Sequence, residues 1–525
     1  MPETQSKEER KMQKRKPSHP LRRLRTLAAT LFGCGLTLLF VDYTGTMHHY
    51  LSLMAKVQFV PALLAFNILI IAGLLLLTGL FGRVYCSAIC PLGVFQDLVA
   101  RVGRRGKKLP YRYVPPRPWL RYGVLMLFGL SIVLGIGVLT ALLDPYGAYG
   151  RMAQSLLQPF FEWSGAALAS VPARMDSNAA CGSEIWLRSW PTLLVAIATL
   201  LLVDTLAWRG GRTYCNTICP VGTILGFIAR FSWLKVRFNH EKCISCGLCA
   251  NHCKAACIDI KTHRIDYSRC VACGNCLEHC VHGALAYSGK LQSEHNKEEK
   301  SQDVSSVTDN PSGVSRRAFL VAGASIVASA VLARTGLKED GWLSTVSGAK
   351  MPRRKQPVLP PGALSASHFA RHCTACQLCV SQCPENVLRP SGRLMTLMQP
   401  EMSYERGWCR PGCNRCSQVC PTKAIVPMNH GEKASVQIGC AVWIRENCLT
   451  LSRPTGDGVA VHCDRCAEVC PNGAITMMAD KQQPESLVPV VNAARCIGCG
   501  ACEHFCPARP FSAIYVEGLE RHRDV

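Results

Sequence analysis

Four long uncharged stretches alternate with basic, polar segments in the first 210 residues. They cover residues 26–41, 61–81, 122–143 and 189–208, and only Asp204 interrupts the last one. A helix of this length roughly matches the ~30 Å hydrocarbon core of a bilayer, although the first stretch is short. The pattern therefore predicts four membrane-spanning helices.

The distribution of basic residues predicts the orientation of these helices. Nine lysines and arginines lie in residues 1–25, nine in 82–121 and six in 209–242, whereas 43–60 carries only Lys56 and 144–189 carries three arginines. By the positive-inside rule, the N-terminus, the second loop and the segment after residue 208 face the cytoplasm of a bacterial inner membrane. This asymmetry explains much of the net charge of +24. Because no recognition motif accompanies the charge, nucleic acid is not an expected partner.

A fifth apolar stretch, residues 318–333, differs from the first four. It would span only about 24 Å as a helix, and the hexapeptide SRRAFL precedes it at residues 315–320. This hexapeptide resembles the twin-arginine export signal, which makes the twin-arginine translocation machinery an expected partner. A short fifth membrane helix is the alternative. Both interpretations place the C-terminal part of the chain in the periplasm.

Composition and motifs divide the chain into seven segments. In order, they are a basic cytoplasmic N-terminus (1–25), a four-helix membrane domain (26–234), a cytoplasmic ferredoxin domain (235–290), a polar linker (291–314), the export signal or anchor (315–334), a second linker (335–367) and a periplasmic ferredoxin-type domain (368–525). The predicted fold class is a membrane α-helical bundle combined with an α+β ferredoxin-like two-cluster domain and a separate four-cluster domain.

The strongest chemical signal comes from the 32 cysteines. Four runs share the spacing C-x2-C-x2-C-x3-C: Cys243, Cys246, Cys249 and Cys253; Cys270, Cys273, Cys276 and Cys280; Cys373, Cys376, Cys379 and Cys383; Cys496, Cys499, Cys502 and Cys506. Two variants lie between the last two runs. They are Cys409, Cys413, Cys416 and Cys420, with one extra residue in the first gap, and Cys463, Cys466 and Cys470, whose first member is either Cys448, which we favour, or Cys440.

This spacing is typical of iron ligands in [4Fe–4S] clusters. Three thiolates on one loop bind one cubane, and the fourth cysteine ligates the neighbouring cluster. In the first ferredoxin domain, Cys280 should therefore join the run that begins at Cys243, and Cys253 the run that begins at Cys270. Structural zinc uses two C-x2-C knuckles instead, and disulfides would not explain six similar quartets. We therefore expect six [4Fe–4S] clusters.

The membrane half contains an internal repeat. The segment GRVYCSAICPLG at residues 82–93 matches GRTYCNTICPVG at 211–222, and each copy follows an even-numbered predicted helix. Two helices and one C-x3-C-P loop form the repeating unit, which predicts a quasi-twofold four-helix bundle. Cys86, Cys90, Cys215 and Cys219 are candidate redox thiols or shared metal ligands, with structural packing as the alternative. Cys257 is interpreted as a packing residue.

Residues 20–290 resemble the NapH-type membrane subunit of a quinol-oxidising system that supplies periplasmic nitrate reductase. The four helices, the two C-x3-C-P loops and the two-cluster ferredoxin carry this resemblance. Residues 312–520 resemble the exported four-cluster NapG and MauM types, so the chain is similar to a fusion of the two. For the four-cluster domain, the resemblance implies that the first run pairs with the last and that the two middle runs pair together.

No nucleophile elbow, phosphate loop, dinucleotide fingerprint or molybdenum-pocket signature is present, so the expected chemistry is iron–sulfur electron transfer. The resemblance implies a quinol dehydrogenase component, without a terminal reductase site, that passes electrons to the periplasmic nitrate reductase system or its carrier subunits. One alternative is a transmembrane conduit from a cytoplasmic donor, and another is a maturation factor for a periplasmic metalloenzyme. Four ionisable side chains are available for a quinol site, none of them favoured: Asp42, His48, His49 and Asp204.

Overall fold

A computed structural model of the chain describes residues 20–42, 45–103, 110–162, 164, 188–280, 282–289, 352–451 and 462–524. The predicted export signal and most of both linkers lie outside these residues, as do the basic N-terminus up to residue 19 and Cys181.

The first part of the chain is helical. Its helices are α1 (Pro20–Val41), α2 (His48–Lys56), α3 (Phe59–Leu64), α4 (Ile68–Phe81), α5 (Pro91–Gly103), α6 (Pro118–Leu134), α7 (Gly137–Leu143), α8 (Pro145–Met152), α9 (Trp190–Gly210), α10 (Thr213–Thr217) and α11 (Pro220–Ala229). Within the described ranges, α1 and α9 are the two helices whose length and composition would allow a membrane crossing, while α4, α6 and α11 are apolar but shorter.

Two of the four predicted long helices are interrupted. The chain breaks between α3 and α4, where Phe66 has a φ of 52°, and between α6 and α7, where Gly135 has a φ of 72°. The C-terminal domain contacts both breaks: the ring of Phe66 lies 6.3 Å from that of His372, and a Cβ on Gly135 would lie 3.2 Å from Arg371. The prediction of one continuous helix over 61–81 and over 122–143 is therefore wrong.

Parts of two predicted loops also enter the bundle. Gln58, between α2 and α3, is fully buried, and α8 is buried along its whole length. Helix α8 begins at Pro145, and the preceding Asp144 caps it by accepting hydrogen bonds from the amides of Tyr146 and Gly147 at 3.1 and 2.9 Å. Helical hydrogen bonds pair the backbone N–H and C=O groups of these segments, and the segments can therefore pack inside the bundle.

The first ferredoxin domain consists of β1 (Lys235–Phe238), α12 (Leu248–Asn251), β2 (Ile258–Asp259), β3 (Arg264–Ile265), α13 (Asn275–His279) and β4 (Leu285–Ser288). Strands β1 and β4 pair antiparallel, with Val236 opposite Tyr287, and β2 pairs with β3. The two short helices pack together, so the two cysteine runs face one core.

The C-terminal domain contains α14 (Ala366–His372), α15 (Leu378–Ser381), β5 (Leu388–Pro390), β6 (Pro400–Met402), α16 (Arg415–Val419), α17 (His430–Ser435), β7 (Val436–Trp443), α18 (Arg465–Glu468), β8 (Ile475–Ala479), β9 (Leu487–Val491), α19 (Ala501–Phe505) and β10 (Ile514–Asp524). Antiparallel pairs form between β5 and β6, β7 and β10, and β8 and β9. A buried ion pair between Arg354 and Glu503 (2.5 Å) joins the start of this domain to α19.

The two ferredoxin domains contact opposite ends of α1. Near its start, Arg22 forms an ion pair with Glu278 of the first ferredoxin domain. Near its end, the Gln382 side chain of the C-terminal domain donates hydrogen bonds to the carbonyl oxygens of Leu39 (3.0 Å) and Asp42 (2.6 Å). Because 17 to 20 residues of helical rise lie between Arg22 and these carbonyl groups, α1 separates the two contacts by about 26 to 30 Å.

Candidate iron–sulfur centres

The two cysteine runs of the first ferredoxin domain exchange their fourth members. One cavity is lined by Cys243, Cys246 and Cys249 together with Cys280. Around the second position, the thiol of Cys276 faces Cys273, Cys270 and Cys253. The structure thus brings together the ligand sets that the spacing predicts.

The loops that carry these cysteines share an unusual backbone conformation. Ser245 and Gly247 in the first run, and Ala272 and Gly274 in the second, all have φ between 47° and 73°. Ala375 with Gln377, and Gly498 with Gly500, repeat the pattern in the C-terminal domain. Left-handed residues on either side of the second cysteine curl the loop, so that the three thiols point inward and backbone amides surround them.

The C-terminal domain pairs its runs differently from the expectation. Cys383 lines a cavity with Cys409, Cys413 and Cys416. The thiol of Cys420, at the end of that second run, faces the first run, Cys373, Cys376 and Cys379. The first run therefore pairs with the second, because α15 packs against α16. The predicted pairing of the first run with the last is wrong.

The last two runs form the remaining pair. Cys470 lines a cavity with Cys496, Cys499 and Cys502. The thiol of Cys466 faces Cys463, Cys506 and Cys448, whereas Cys440 lies beside Cys496. The structure thus brings Cys448 to the incomplete quartet, and its role as an iron ligand remains a prediction.

The six thiol sets fit [4Fe–4S] clusters chemically. Burial raises the pKa of the Cys409 thiol to about 11 and that of Cys376 to about 12, so both thiols stay protonated at neutral pH unless a cation replaces the proton. Backbone amides point at the sulfur atoms, as Ala284 does at Cys280 and Ala474 at Cys470, both at 3.2 Å. Such amides stabilise thiolate charge. A bound cluster supplies one-electron redox chemistry, and the four cysteines of each set would hold it.

Cys257 packs in the core as predicted, and its thiol also lies beside a predicted cluster ligand. Its side chain is 1% exposed, and its sulfur lies 3.5 Å from that of the predicted ligand Cys253. At the equivalent position, four residues after the last cysteine of their runs, stand Ala284, Ala424 and Ala474. A thiol in a place where related runs carry alanine is the sequence signal that distinguishes Cys257.

The four C-x3-C-P cysteines lie together between α4 and α11, and all four are buried. The fully buried guanidinium groups of Arg83 and Arg212 accompany them. Among the described residues, no three His, Cys, Asp or Glu side chains are gathered closely enough for a single metal ion, and this holds for the ferredoxin quartets as well.

The described ionisable residues considered for a quinol site lie on different elements of the fold. Asp42 accepts hydrogen bonds from the amides of Gly45 (3.0 Å) and Met47 (2.8 Å), and His48 contacts the Gly45 carbonyl. Asp204 lies on α9 far along the chain from these residues, and the side chain of His49 is outside the described part.

A cleft that the sequence did not indicate lies between residues 154–162, which follow α8, and the start of α9. Gln158 donates to Glu162 at 2.8 Å, and Arg188 approaches Glu162 at 3.9 Å. Arg188 also donates to the carbonyl of Val380, the residue after Cys379, at 2.9 Å. The only sequence signal for this cleft was the presence of Glu162 and Arg188 in residues 144–189, a segment with few charged residues.

Paired cysteine quartets on ferredoxin loops define an iron–sulfur electron-transfer protein of the ferredoxin type. Comparisons with known proteins agree. A family model described as a 4Fe-4S binding domain matches residues 63–110 and 190–239, which include both C-x3-C-P loops, and a 4Fe-4S dicluster domain matches 461–509. No solved structure matches the chain.

Three curated relatives illustrate the similarity. The methylamine utilization ferredoxin-type protein MauM of Methylorubrum extorquens is 30% identical over 201 residues, 37% of this chain and 86% of that protein. The ferredoxin-type protein NapF of Escherichia coli K12 is 29% identical over 36% of this chain and 96% of its own length. The putative electron transport protein YccM of the same organism is 27% identical over 37% of this chain.

The chain belongs to the MauM family of ferredoxin-type proteins. It spans about half the length of YccM and of a MauN protein that it also matches, 47% and 52% respectively. These relatives confirm the prediction of a ferredoxin-type electron-transport protein. The finer resemblance to a NapH–NapG fusion stays a prediction.

Proposed function

We propose that this protein carries electrons across a membrane, between the [4Fe–4S] clusters of the first ferredoxin domain and those of the C-terminal domain. The single observation that carries the proposal is the position of the two domains at opposite ends of α1, with contacts about 26 to 30 Å apart. This distance roughly equals the hydrocarbon thickness of a bilayer.

The exposed surface of the helices supports a membrane location. Leu69 on α4, Val133 on α6 and Leu27 on α1 are 83%, 81% and 70% exposed. Apolar side chains so widely exposed along several helices favour a lipid environment, since soluble surfaces rarely carry large apolar patches. In this proposal α1, α3–α4, α6–α7 and α9 form the four-helix membrane domain.

The charge pattern orients the protein in a bacterial inner membrane. The first ferredoxin domain would face the cytoplasm and the C-terminal domain the periplasm. The source of electrons would be a cytoplasmic donor of low potential. The acceptor would be a periplasmic redox protein, of which the periplasmic nitrate reductase system is the example that the sequence resemblance implies.

Electron transfer across sealed vesicles tests the proposal. The full chain is reconstituted into liposomes that contain reduced methyl viologen, and ferricyanide, which does not cross lipid, is added outside. We expect viologen oxidation that depends on the protein and is lost in Cys276→Ser, which removes a predicted ligand of the first ferredoxin domain. Cys34→Ser, at an exposed cysteine on α1, is the control. A rate equal to that of empty liposomes would refute the proposal.

Quinol oxidation is the second candidate function, and the cleft at Glu162 favours it. Glu162 could accept a proton from a quinol, while Arg188 connects the cleft to the backbone beside Cys379. Electrons would then enter near the C-terminal domain without visiting the first ferredoxin domain. Quinol-dependent reduction of ferricyanide that Glu162→Gln abolishes and Cys276→Ser leaves intact would choose this function over the first.

A further inference from the structure

The two C-x3-C-P loops face each other inside the bundle. Cys86 belongs to a π-helical turn, Tyr85–Ile89, and Cys90 follows it, while Cys219 caps α11 and accepts a hydrogen bond from the Gly222 amide at 3.4 Å. All four thiols of the two loops are 5% exposed or less. The thiol of Cys219 faces those of Cys215, Cys90 and Cys86, so the two loops contribute to one set.

A reciprocal pair of arginines encloses these thiols. Arg83 of the first loop donates to the carbonyl of Cys215 in the second loop at 3.2 Å, and Arg212 of the second loop donates to the carbonyl of Cys86 in the first. Each guanidinium also occupies the space beside a glycine of the opposite loop. A Cβ on Gly93 would lie 2.7 Å from Arg212, and one on Gly222 would lie 2.7 Å from Arg83.

The charges around the two arginines differ in an informative way. Arg212 pairs with Asp97 at 2.8 Å. Arg83 donates to Asn216 and to the Ser268 carbonyl, and its neighbours include the thiols of Cys86, at 3.7 Å, Cys215 and Cys219. Its Nε, also buried, has no hydrogen-bond partner among the described residues. A fully buried cation without a counter-ion is strongly destabilising, so negative charge on the neighbouring thiols, as in a metal-bound set, would stabilise Arg83.

We propose that the two segments matched by the 4Fe-4S binding model share a single site, in which Cys86, Cys90, Cys215 and Cys219 together bind a seventh [4Fe–4S] cluster between the two halves of the internal repeat. Four thiolates with an iron–sulfur core carry net negative charge, which the buried guanidiniums of Arg83 and Arg212 offset. Among the described residues, neither these four thiols nor the ferredoxin quartets are gathered closely enough for a single metal ion, so a multinuclear cluster suits the set better than a mononuclear ion.

The shared cluster would lie between the cluster sites of the two ferredoxin domains. On one side, Arg83 donates to the carbonyl of Ser268 at 3.0 Å, two residues before Cys270. On the other side, the ring of Tyr214, the residue before Cys215, faces Arg151, which donates to the carbonyl of Ala375 at 3.4 Å. Ala375 lies between two predicted ligands of the first C-terminal cluster.

This position gives the cluster a role that rests on the proposed function. It would accept one electron from the centre beside Ser268 and pass one electron to the centre beside Ala375. Its core is reduced and then oxidised by one electron in turn, no covalent bond forms or breaks, and no proton is required. The cluster thereby divides one long transfer into two shorter ones.

Iron and sulfide analysis of the anaerobically purified full chain tests the site. We expect about 28 iron atoms per chain in the wild type, and about 24 in the double variant Cys90→Ala/Cys219→Ala. Cys34→Ala should retain the wild-type iron content. An unchanged iron content in the double variant, or zinc at the site of the wild type, would overturn the proposal. A disulfide in place of metal would do the same.

A second variant, Arg83→Gln, tests the site without removing a thiol, in case the double variant fails to fold. Arg83→Gln keeps all four thiols, so the iron content should stay at the wild-type value while the midpoint potential of one cluster falls, because a nearby positive charge is lost. The EPR signals of the other clusters should not move. Wild-type potentials throughout would contradict the inference. The iron content does not depend on whether electrons cross the membrane. If the liposome assay showed no electron transfer while the purified chain contained about 28 iron atoms, the proposed function would be refuted and the proposed cluster site would be supported.

Discussion

The contact between the C-terminal domain and the bundle can be weakened at one side chain. Gln382 is 1% exposed, and its amide nitrogen donates to the carbonyl oxygens of Leu39 and Asp42 at the end of α1. We predict that Gln382→Ala destabilises docking without unfolding either domain, because both lost hydrogen bonds cross the contact.

The size of the effect follows from the two bonds. Each net hydrogen bond contributes about 1 kcal/mol, so the loss is about 2 kcal/mol. Since 1.4 kcal/mol corresponds to a factor of ten, the undocked population should rise roughly 30-fold. Amides that become accessible only on undocking should exchange faster by the same factor.

Hydrogen exchange measured by mass spectrometry reads this opening directly. The peptide covering residues 36–42 should exchange roughly 30-fold faster in Gln382→Ala than in the wild type. Gln437→Ala is the matched control, because Gln437 also donates two bonds, at 2.7 and 2.6 Å, but both acceptors lie within the C-terminal domain. Equal exchange of residues 36–42 in all three proteins would refute the docking described here.

Three further predictions concern individual residues of the ferredoxin domains. Cys448→Ala should lower the iron content by up to about four atoms per chain, whereas Cys440→Ala should keep the wild-type iron content. The reverse result would identify Cys440 as the ligand instead. Cys257→Ala should lower the midpoint potential of the neighbouring cluster in an EPR titration, because the S–H group 3.5 Å from Cys253 can donate a hydrogen bond to that ligand. An unchanged potential would show that Cys257 is only a packing residue. Burial lowers the pKa of His522 from 6.5 to about 4. Below pH 6.5 the unfolded chain therefore binds a proton at this residue more readily than the folded chain does. The free energy of unfolding of the C-terminal domain should fall by about 2 kcal/mol between pH 7 and pH 5. The unfolding temperature of His522→Phe should fall less over that pH range than that of the wild type. Equal falls in both proteins would contradict the lowered pKa of His522.

The cysteine chemistry was the most predictable part of the molecule. The run spacing identified the quartets. In the first ferredoxin domain it also predicted the exchange of Cys253 and Cys280, because the fourth cysteine, four positions after the third, typically ligates the neighbouring cluster. The pairing in the C-terminal domain was not predictable this way. It depends on the packing of α15 against α16, and no local spacing encodes which distant run a helix packs against.

The helices of the first half illustrate a second limit. Hydropathy marked the apolar stretches but could not locate the breaks at Phe66 and Gly135, because both residues are apolar or neutral and the breaks coincide with contacts from a domain several hundred residues away. The burial of α8 was hidden for a related reason. Its residues Tyr146 to Met152 include an arginine and five small or aromatic residues, a pattern that does not indicate a core helix until its partners are known.

The most direct measurement of the central claim is rapid-freeze EPR on the full chain after the first ferredoxin domain is reduced. The account predicts that electrons reach the C-terminal clusters at a rate independent of protein concentration, and that Cys276→Ser abolishes this transfer. C-terminal clusters that stay oxidised, or a rate that rises in proportion to concentration, would contradict it.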